Sequence, residues 1–273
     1  MFEGHAERAR RGQWQIEDLP WDEPIRFCGT SKRDQILCKL DTVDLAGVMY
    51  HLQLGARMRM GDHLLRSWNH DRALLECLEW HDGDEHRHVR VLRRLIDALQ
   101  SKGETPARND RPLSPDRLWR VAYSSRERLS DDRVLLNMLI DEAVSRTLFG
   151  MVAGSSGIPL VRATFDACSQ DDVRHVEYLT LMAARRFESL GSYELAFLHG
   201  AAVLHTARLQ SALRPYIGSF AGASRQSAEA VVTAVFGAAS RVLSDLGANW
   251  KQSPVMRLVH SADRSPWLLW LLR

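Results

Sequence analysis

The stretch DEHRHV, Asp84–Val89, returns 87 residues later as DDVRHV, Asp171–Val176. Both copies carry an aspartate, a second carboxylate, then Arg, His and Val in the same register. Each copy lies inside a longer segment, 72–100 and 161–191, whose apolar residues recur at three- and four-residue steps. The same steps run through 44–68 and 131–154 and through two or three later segments, which is the period of an amphipathic helix. Strand-like alternation is scarce, so the reading is an all-α protein. The Pro- and charge-rich SKGETPARNDRPLSPD (101–116) breaks the pattern, and RLWRVAYSSRERL (117–129) follows it as a short helix candidate. Long helices with one long central crossover describe a four-helix bundle core with additional C-terminal helices. The expected organisation is an N-terminal extension over 1–41, a bundle bearing the site over 42–190, and C-terminal helices packed on it over 191–273.

Composition sets the outer limits. With 273 residues, 45% apolar and 26% charged, the chain can bury a large core. A net charge of +2 gives no ground for a general affinity for nucleic acid or anionic membrane. The Arg-rich start ERARR (7–11) reads as a solvated tail. Cys28, Cys38, Cys77 and Cys168 show no C-x-x-C spacing, and the first fourteen residues lack the apolar run of a secretory signal, so a reducing cytoplasm is the expected address. No window reaches the roughly eighteen uninterrupted apolar residues of a membrane span. The terminal SPWLLWLLR (265–273) packs on its own domain or forms a dimer or partner contact.

The two repeats place ionisable groups in apolar seams. In the second segment the stripe is read through Leu75, Leu78, Asp82, Glu85, Val89, Leu92, Ile96 and Leu99, with His88 beside it. In the fourth it passes Phe165, Cys168, Asp172, His175, Leu179 and Met182. An unpaired buried carboxylate costs several kcal/mol or neutralises, so these intrusions need compensation, and a shared cation supplies it. At i and i+3, Glu85 and His88 point to one face, as do Asp172 and His175. A carboxylate and an imidazole one turn apart can ligate one ion, and two facing pairs can hold two.

A two-iron bundle site also takes one carboxylate from each remaining helix. Glu142 meets that need on the third segment. On the first, the repeat aligns Gln53 with Glu142, so a neutral amide stands where a carboxylate is expected. Gln53 is then either a weak ligand or a hydrogen-bonding neighbour of an open position; His51 and Asp62 are rivals that the repeat does not favour. Asp84 and Asp171 are expected to reach across the bundle to His175 and His88 and fix their tautomers, with Arg87 and Arg174 neutralising them. His81, His86, His199 and His205 read as surface or satisfied core groups, His81 alone having the reach to be an extra contact. Met60, Phe149, Cys168 and Tyr178 are the expected cavity neighbours.

Together, the E-x-x-H of Glu85 and His88, the single Glu142 and the D-x-x-H of Asp172 and His175 resemble the ferritin-like di-iron carboxylate superfamily. Their order and spacing are similar to the p-aminobenzoate N-oxygenase-like di-iron oxygenases and, more loosely, to soluble acyl carrier protein desaturases. The resemblance covers residues 42–190, and Cys168 stands where the N-oxygenases carry an additional metal-binding His. It implies a cofactor of two Fe ions, or an Mn/Fe pair, that activates O₂ to oxidise a small or carrier-bound organic substrate. It also implies an external electron donor, a reductase or ferredoxin, since no flavin or nicotinamide fingerprint is present. Two other readings stand beside it: a ferritin-like scaffold or partner subunit with an incomplete metal site, and an iron-handling ferroxidase.

Overall fold

The computed structural model describes residues 2–59, 71–101 and 131–246. Among them are eight α-helices and no strand: α1 (Glu3–Arg11), α2 (Lys32–Arg59), α3 (Arg72–Ser101), α4 (Asp131–Ser155), α5 (Pro159–Phe187), α6 (Ser192–Leu213), α7 (Ile217–Ser224) and α8 (Ala228–Asp245). No described helix is long and apolar enough to cross a membrane. The central linker, the short helix candidate at 117–129, Met60, Asp62 and the terminal SPWLLWLLR lie outside the described residues.

Side-chain chemistry sets the helix starts. Asp71 accepts from the backbone N–H groups of Ala73 (3.0 Å) and Leu74 (3.2 Å), capping α3. Ser31 and Asp34 cap α2 reciprocally, the Ser31 hydroxyl accepting from Asp34 N–H (3.1 Å) and the Asp34 carboxylate from Ser31 N–H (3.2 Å). Pro159 opens α5 at a position whose N–H needs no partner. The first bundle helix therefore begins at Lys32, inside the expected N-terminal extension.

Helices α2, α3, α5 and α4 close a ring in which each packs on the next. The α4–α5 pair is antiparallel: Asp132 bonds Arg186, Glu142 bonds His175, and the Arg146 carbonyl accepts from Ser169. Helix α4 is the most enclosed, buried without a break from Val134 to Ser145, because α2, α5, α6, α7 and α8 all lie against it. On α3 the buried stripe is Leu74, Leu78, His81, Glu85, His88, Leu92, Leu95 and Leu99, alternating steps of four and three. The stripe read through Asp82 is thus displaced: Asp82 is partly exposed, and His81 takes its place in the seam.

The N-terminal segment is not a solvated tail. Phe2, Ala6 and Ala9, at i, i+4 and i+7, form a buried stripe that lays α1 on α3 and α5. Its arginines face outward onto acids of α1 itself and of the bundle, Arg8 to Glu177 (2.8 Å), Arg11 to Glu7 (2.7 Å) and Arg10 to Glu76. Such exposed, solvent-screened pairs add little to stability, so the apolar stripe is the main attachment. At the other end of the chain, α6 and α8 pack on α4, and α7 packs on α2 and α4.

Candidate metal centre

Midway along the bundle, the ring encloses a cluster of acids and imidazoles with almost no contact with solvent. Glu85, His88, Asp172 and His81 are wholly buried, and Gln53, Glu142 and His175 nearly so. Helix α3 supplies three of them at steps of four and three, which is why they share one face. The remainder come from α2 (Gln53), α4 (Glu142) and α5 (Asp172, His175).

The ligand-type atoms form two groups that share Glu85. One is His81, Glu85, Glu142 and His175; the other is Glu85, His88 and Asp172. Glu85 Oε1 lies 3.7 Å from His81 Nε2, 3.6 Å from His88 Nδ1 and 3.9 Å from His175 Nδ1. Asp172 Oδ1 lies 3.8 Å from His88 Nδ1 and 3.7 Å from His175 Nδ1, so it too sits between the two rings. Glu142 closes the first group, at 3.1 Å from His175 Nδ1 and 3.5 Å from His81 Nε2.

The rings are aimed by what lies behind them. His88 Nε2 donates to Asp171 (3.0 Å) and His175 Nε2 to Asp84 (3.1 Å), each across the bundle, which turns both Nδ1 atoms inward. His81 is reversed: its Nδ1 bonds the Tyr178 hydroxyl (2.5 Å) and its Nε2 faces Glu85 and Glu142. The His81 and His175 rings stack at 3.6 Å. Arg87 donates to Asp84 and, at 3.0 Å, to Asp171, and Arg174 donates to the same two acids.

The N-terminal segment completes this outer layer. Gln13 Nε2 donates to Asp84 (3.0 Å), Gln13 Oε1 accepts from Arg87 (2.5 Å), and the Trp14 indole donates to Asp171 (2.9 Å). Arg87 also lies 4.8 Å over the Trp14 ring, and a β-carbon at Gly12 would come within 2.7 Å of the Arg174 guanidinium. Sequence reasoning missed both Gln13 and Trp14, because no local spacing reports contacts with residues 71 and 157 positions away.

Electrostatics within the cluster are unbalanced. Both Asp172 oxygens and His81 Nε2 are buried without a hydrogen-bond partner. Burial, reinforced by neighbouring Glu142, pushes the Asp172 carboxyl well above the usual carboxylate range. Burial also opposes charge on His175, but Asp84 and Glu142 outweigh it and raise the ring to about 10. His88 is likewise raised, with burial opposed by Cys168 and Asp171. For Asp171, burial loses to the His88 hydrogen bond and to both guanidiniums, so its carboxyl lies well below the ordinary range.

Gln53 sits against the second group. Oriented to satisfy its neighbours, its amide donates to Glu85 Oε1 (2.7 Å) and lies 3.1 Å from His88 Nδ1. His51 is half-buried on the same helix and belongs to neither group. Phe149 sets its edge 6.2 Å from His88, Cys168 contacts His88, and Tyr178 holds His81. Of the other histidines, His86 is exposed and His205 is satisfied by Asp141 at 2.7 Å. A narrow crevice lined by His5, Ala9, Trp80, His81, His175 and Tyr178 lies between α1 and the cluster.

The donor set fits hard or borderline divalent cations. Imidazole and carboxylate donors suit iron and manganese. The unpartnered atoms of Asp172 and His81 are where a cation's charge would replace missing hydrogen bonds.

No protein-family model matches the chain, and no curated protein matches it. Solved structures do. An R2-like ligand-binding oxidase with an anaerobically reconstituted Mn/Fe cofactor superposes with a TM-score of 0.63 at 14% identity, over 89% of this chain and 92% of that one. A second, with a non-activated Mn/Mn cofactor, gives 0.64 at 14% identity over the same shares. A third, with an aerobically reconstituted Fe/Fe cofactor, gives 0.61 at 12% identity, again over 89% and 92%. At these identities the likeness is one of architecture: the chain has the ferritin-like fold of the R2-like ligand-binding oxidases, with a buried His and carboxylate cluster that could hold metal.

Proposed function

We propose that this protein is a non-haem oxidase or oxygenase with a dinuclear metal centre, two irons or an Mn/Fe pair, acting with O₂ on a small or carrier-bound organic substrate. The observation that carries the reading is the unpartnered burial of Asp172 and His81 Nε2 among Glu85, Glu142, His88 and His175. Left without a cation, such a cluster costs several kcal/mol of stability with no structural return.

His81, Glu85, Glu142 and His175 would hold one ion, and Glu85, His88 and Asp172 the other. The bound pair would supply the electrons and Lewis acidity for reaction with O₂, which side chains cannot provide. The chain's own part is binding, orientation and exclusion of water. Asp84 and Asp171 keep the Nε2 protons of His175 and His88, so each Nδ1 atom stays directed inward. Phe149 and Phe165, edge to face at 5.2 Å, close the His88 side to water. The crevice under α1 reaches the His81 side and, at about 10 Å³, has room for a water-sized molecule. An external reductase or ferredoxin would reduce the centre. The residues that would hold the centre all fall within 42–190, in a bundle whose first helix starts at Lys32.

Anaerobic loading with ferrous iron, followed by metal analysis and an O₂ pulse, tests the reading. The expected result is about two irons per chain and an O₂-dependent change in near-ultraviolet absorption. Less than one bound metal, or a loaded protein inert to O₂, would sink it. Continuous turnover of free ferrous iron would instead mark an iron-handling protein.

A further inference from the structure

We infer that the two cation positions are unequal by construction: the one framed by His81, Glu85, Glu142 and His175 fills first and holds tightly, and its counterpart fills second and holds loosely. The inference rests on the metal-binding reading above.

The chain carries an internal repeat that relates the two positions. Helices α2 and α3 form one half of the ring, α4 and α5 the other. Asp84, Glu85 and His88 correspond to Asp171, Asp172 and His175 at a constant offset of 87 residues. The same offset carries His81 to Cys168, and the alignment of α2 with α4 carries Gln53 to Glu142. Exchanging the halves therefore converts the group His81, Glu85, Glu142, His175 into Cys168, Asp172, Gln53, His88. That second set is the surrounding of the other position, where Gln53 and Cys168 both lie against His88.

Two slots differ between the positions, and both differences fall on the same one. Where the first position has the Glu142 carboxylate, the second has the neutral Gln53 amide. Where the first has the His81 imidazole, the second has the buried Cys168 thiol, a soft donor in place of a nitrogen. A hard divalent cation loses one negative charge and one nitrogen donor on moving from first to second. Even an indirect partner of a metal ligand is worth ~10–100-fold in affinity, so two direct slots on one side give at least that separation. Tyr178 adds to it by orienting His81, while Cys168 has no equivalent support from the aligned position, where Val91 replaces a hydroxyl.

An anaerobic Co(II) titration of the full chain separates the possibilities, read by d–d absorption and by metal retained on dialysis. Two steps are expected, the first at least about tenfold tighter. His81→Ala should weaken the first step by ~10–100-fold and spare the second, with circular dichroism checking the fold. Gln53→Glu should tighten the second step until the two approach each other. It adds a carboxylate where the amide already fits, so it tests the idea even if His81→Ala folds poorly. Two equal steps in the natural chain, or Gln53→Glu with no effect on the second, would overturn the inequality and leave the metal-binding reading intact. Binding of no metal would overturn both.

Discussion

The indole N–H of Trp14 donates to Asp171 at 2.9 Å, and Asp171 in turn accepts from His88 Nε2 at 3.0 Å. A residue ahead of the bundle thus fixes an acid that fixes a ring facing the cluster. With Gln13 on Asp84, the N-terminal segment holds both cross-bundle aspartates. Trp14→Phe keeps the ring over Arg87 but removes the donor. We expect ~10–100-fold weaker metal retention in competition with a chelator, and a loss of about 1–3 kcal/mol in urea unfolding. Unchanged retention would show that Arg87 and Arg174 position Asp171 unaided.

Asp172 should be a liability to the metal-free protein. Its two oxygens are buried with no partner, and neighbouring Glu142 works against its charge. Asp172→Leu removes the desolvated carboxyl at similar size, so in the presence of chelator the variant should be more stable by about 1–3 kcal/mol. The natural chain should gain stability when Fe(II) or Co(II) is added anaerobically, and the variant should not. Chelator and metal titrations by differential scanning calorimetry distinguish the two.

Legibility in the sequence followed the range of each interaction. Helix-period spacing predicts α3, α4 and α5 to within a few residues, because each carries a continuous apolar face. The E-x-x-H and D-x-x-H spacings bring Glu85, His88, Asp172 and His175 onto facing surfaces for the same reason. His81 is hidden by phase: several α3 residues allow a stripe through Asp82, and only packing against α5 shows that His81 faces inward. The α1 stripe is masked by composition, since five residues reading ERARR dominate a short helix whose buried face is Phe2, Ala6 and Ala9. Contacts of Gln13 and Trp14 with residues far along the chain leave no local pattern at all.

Phe149 closes the cluster on the His88 side. Its ring is fully buried, edge-on to Phe165 at 5.2 Å and to His88 at 6.2 Å. Phe149→Ala should cost ~3–5 kcal/mol by transfer and cavity terms. A cavity beside Asp172 and His88 has polar walls, so water should enter it, and a loaded protein should then lose metal to a chelator faster than the natural chain. Stopped-flow exchange with a chromophoric chelator reads the rate; a stability loss without faster release would confine Phe149 to packing.

Metal loading should release protons, and the sign follows from the cluster's own charges. With no cation present, Asp84 and Glu142 raise His175 to about 10 against the cost of burial, and His88 is raised as well. The His175 ring therefore carries its proton at pH 7, and His88 and Asp172 are shifted in the same direction, toward their protonated forms. A ligating imidazole must give up its Nδ1 proton, and a ligating carboxylate must be ionised. Binding thus competes with protonation below about 10 at His175, so apparent affinity should rise with pH through the neutral range. The opposing outcome is specific: were the rings neutral before loading, affinity would be flat above the ordinary histidine range near 6.5. Titration calorimetry in buffers of different ionisation enthalpy counts the protons. Asp84→Asn, which weakens the hold on the His175 proton, should reduce that count while also loosening the metal.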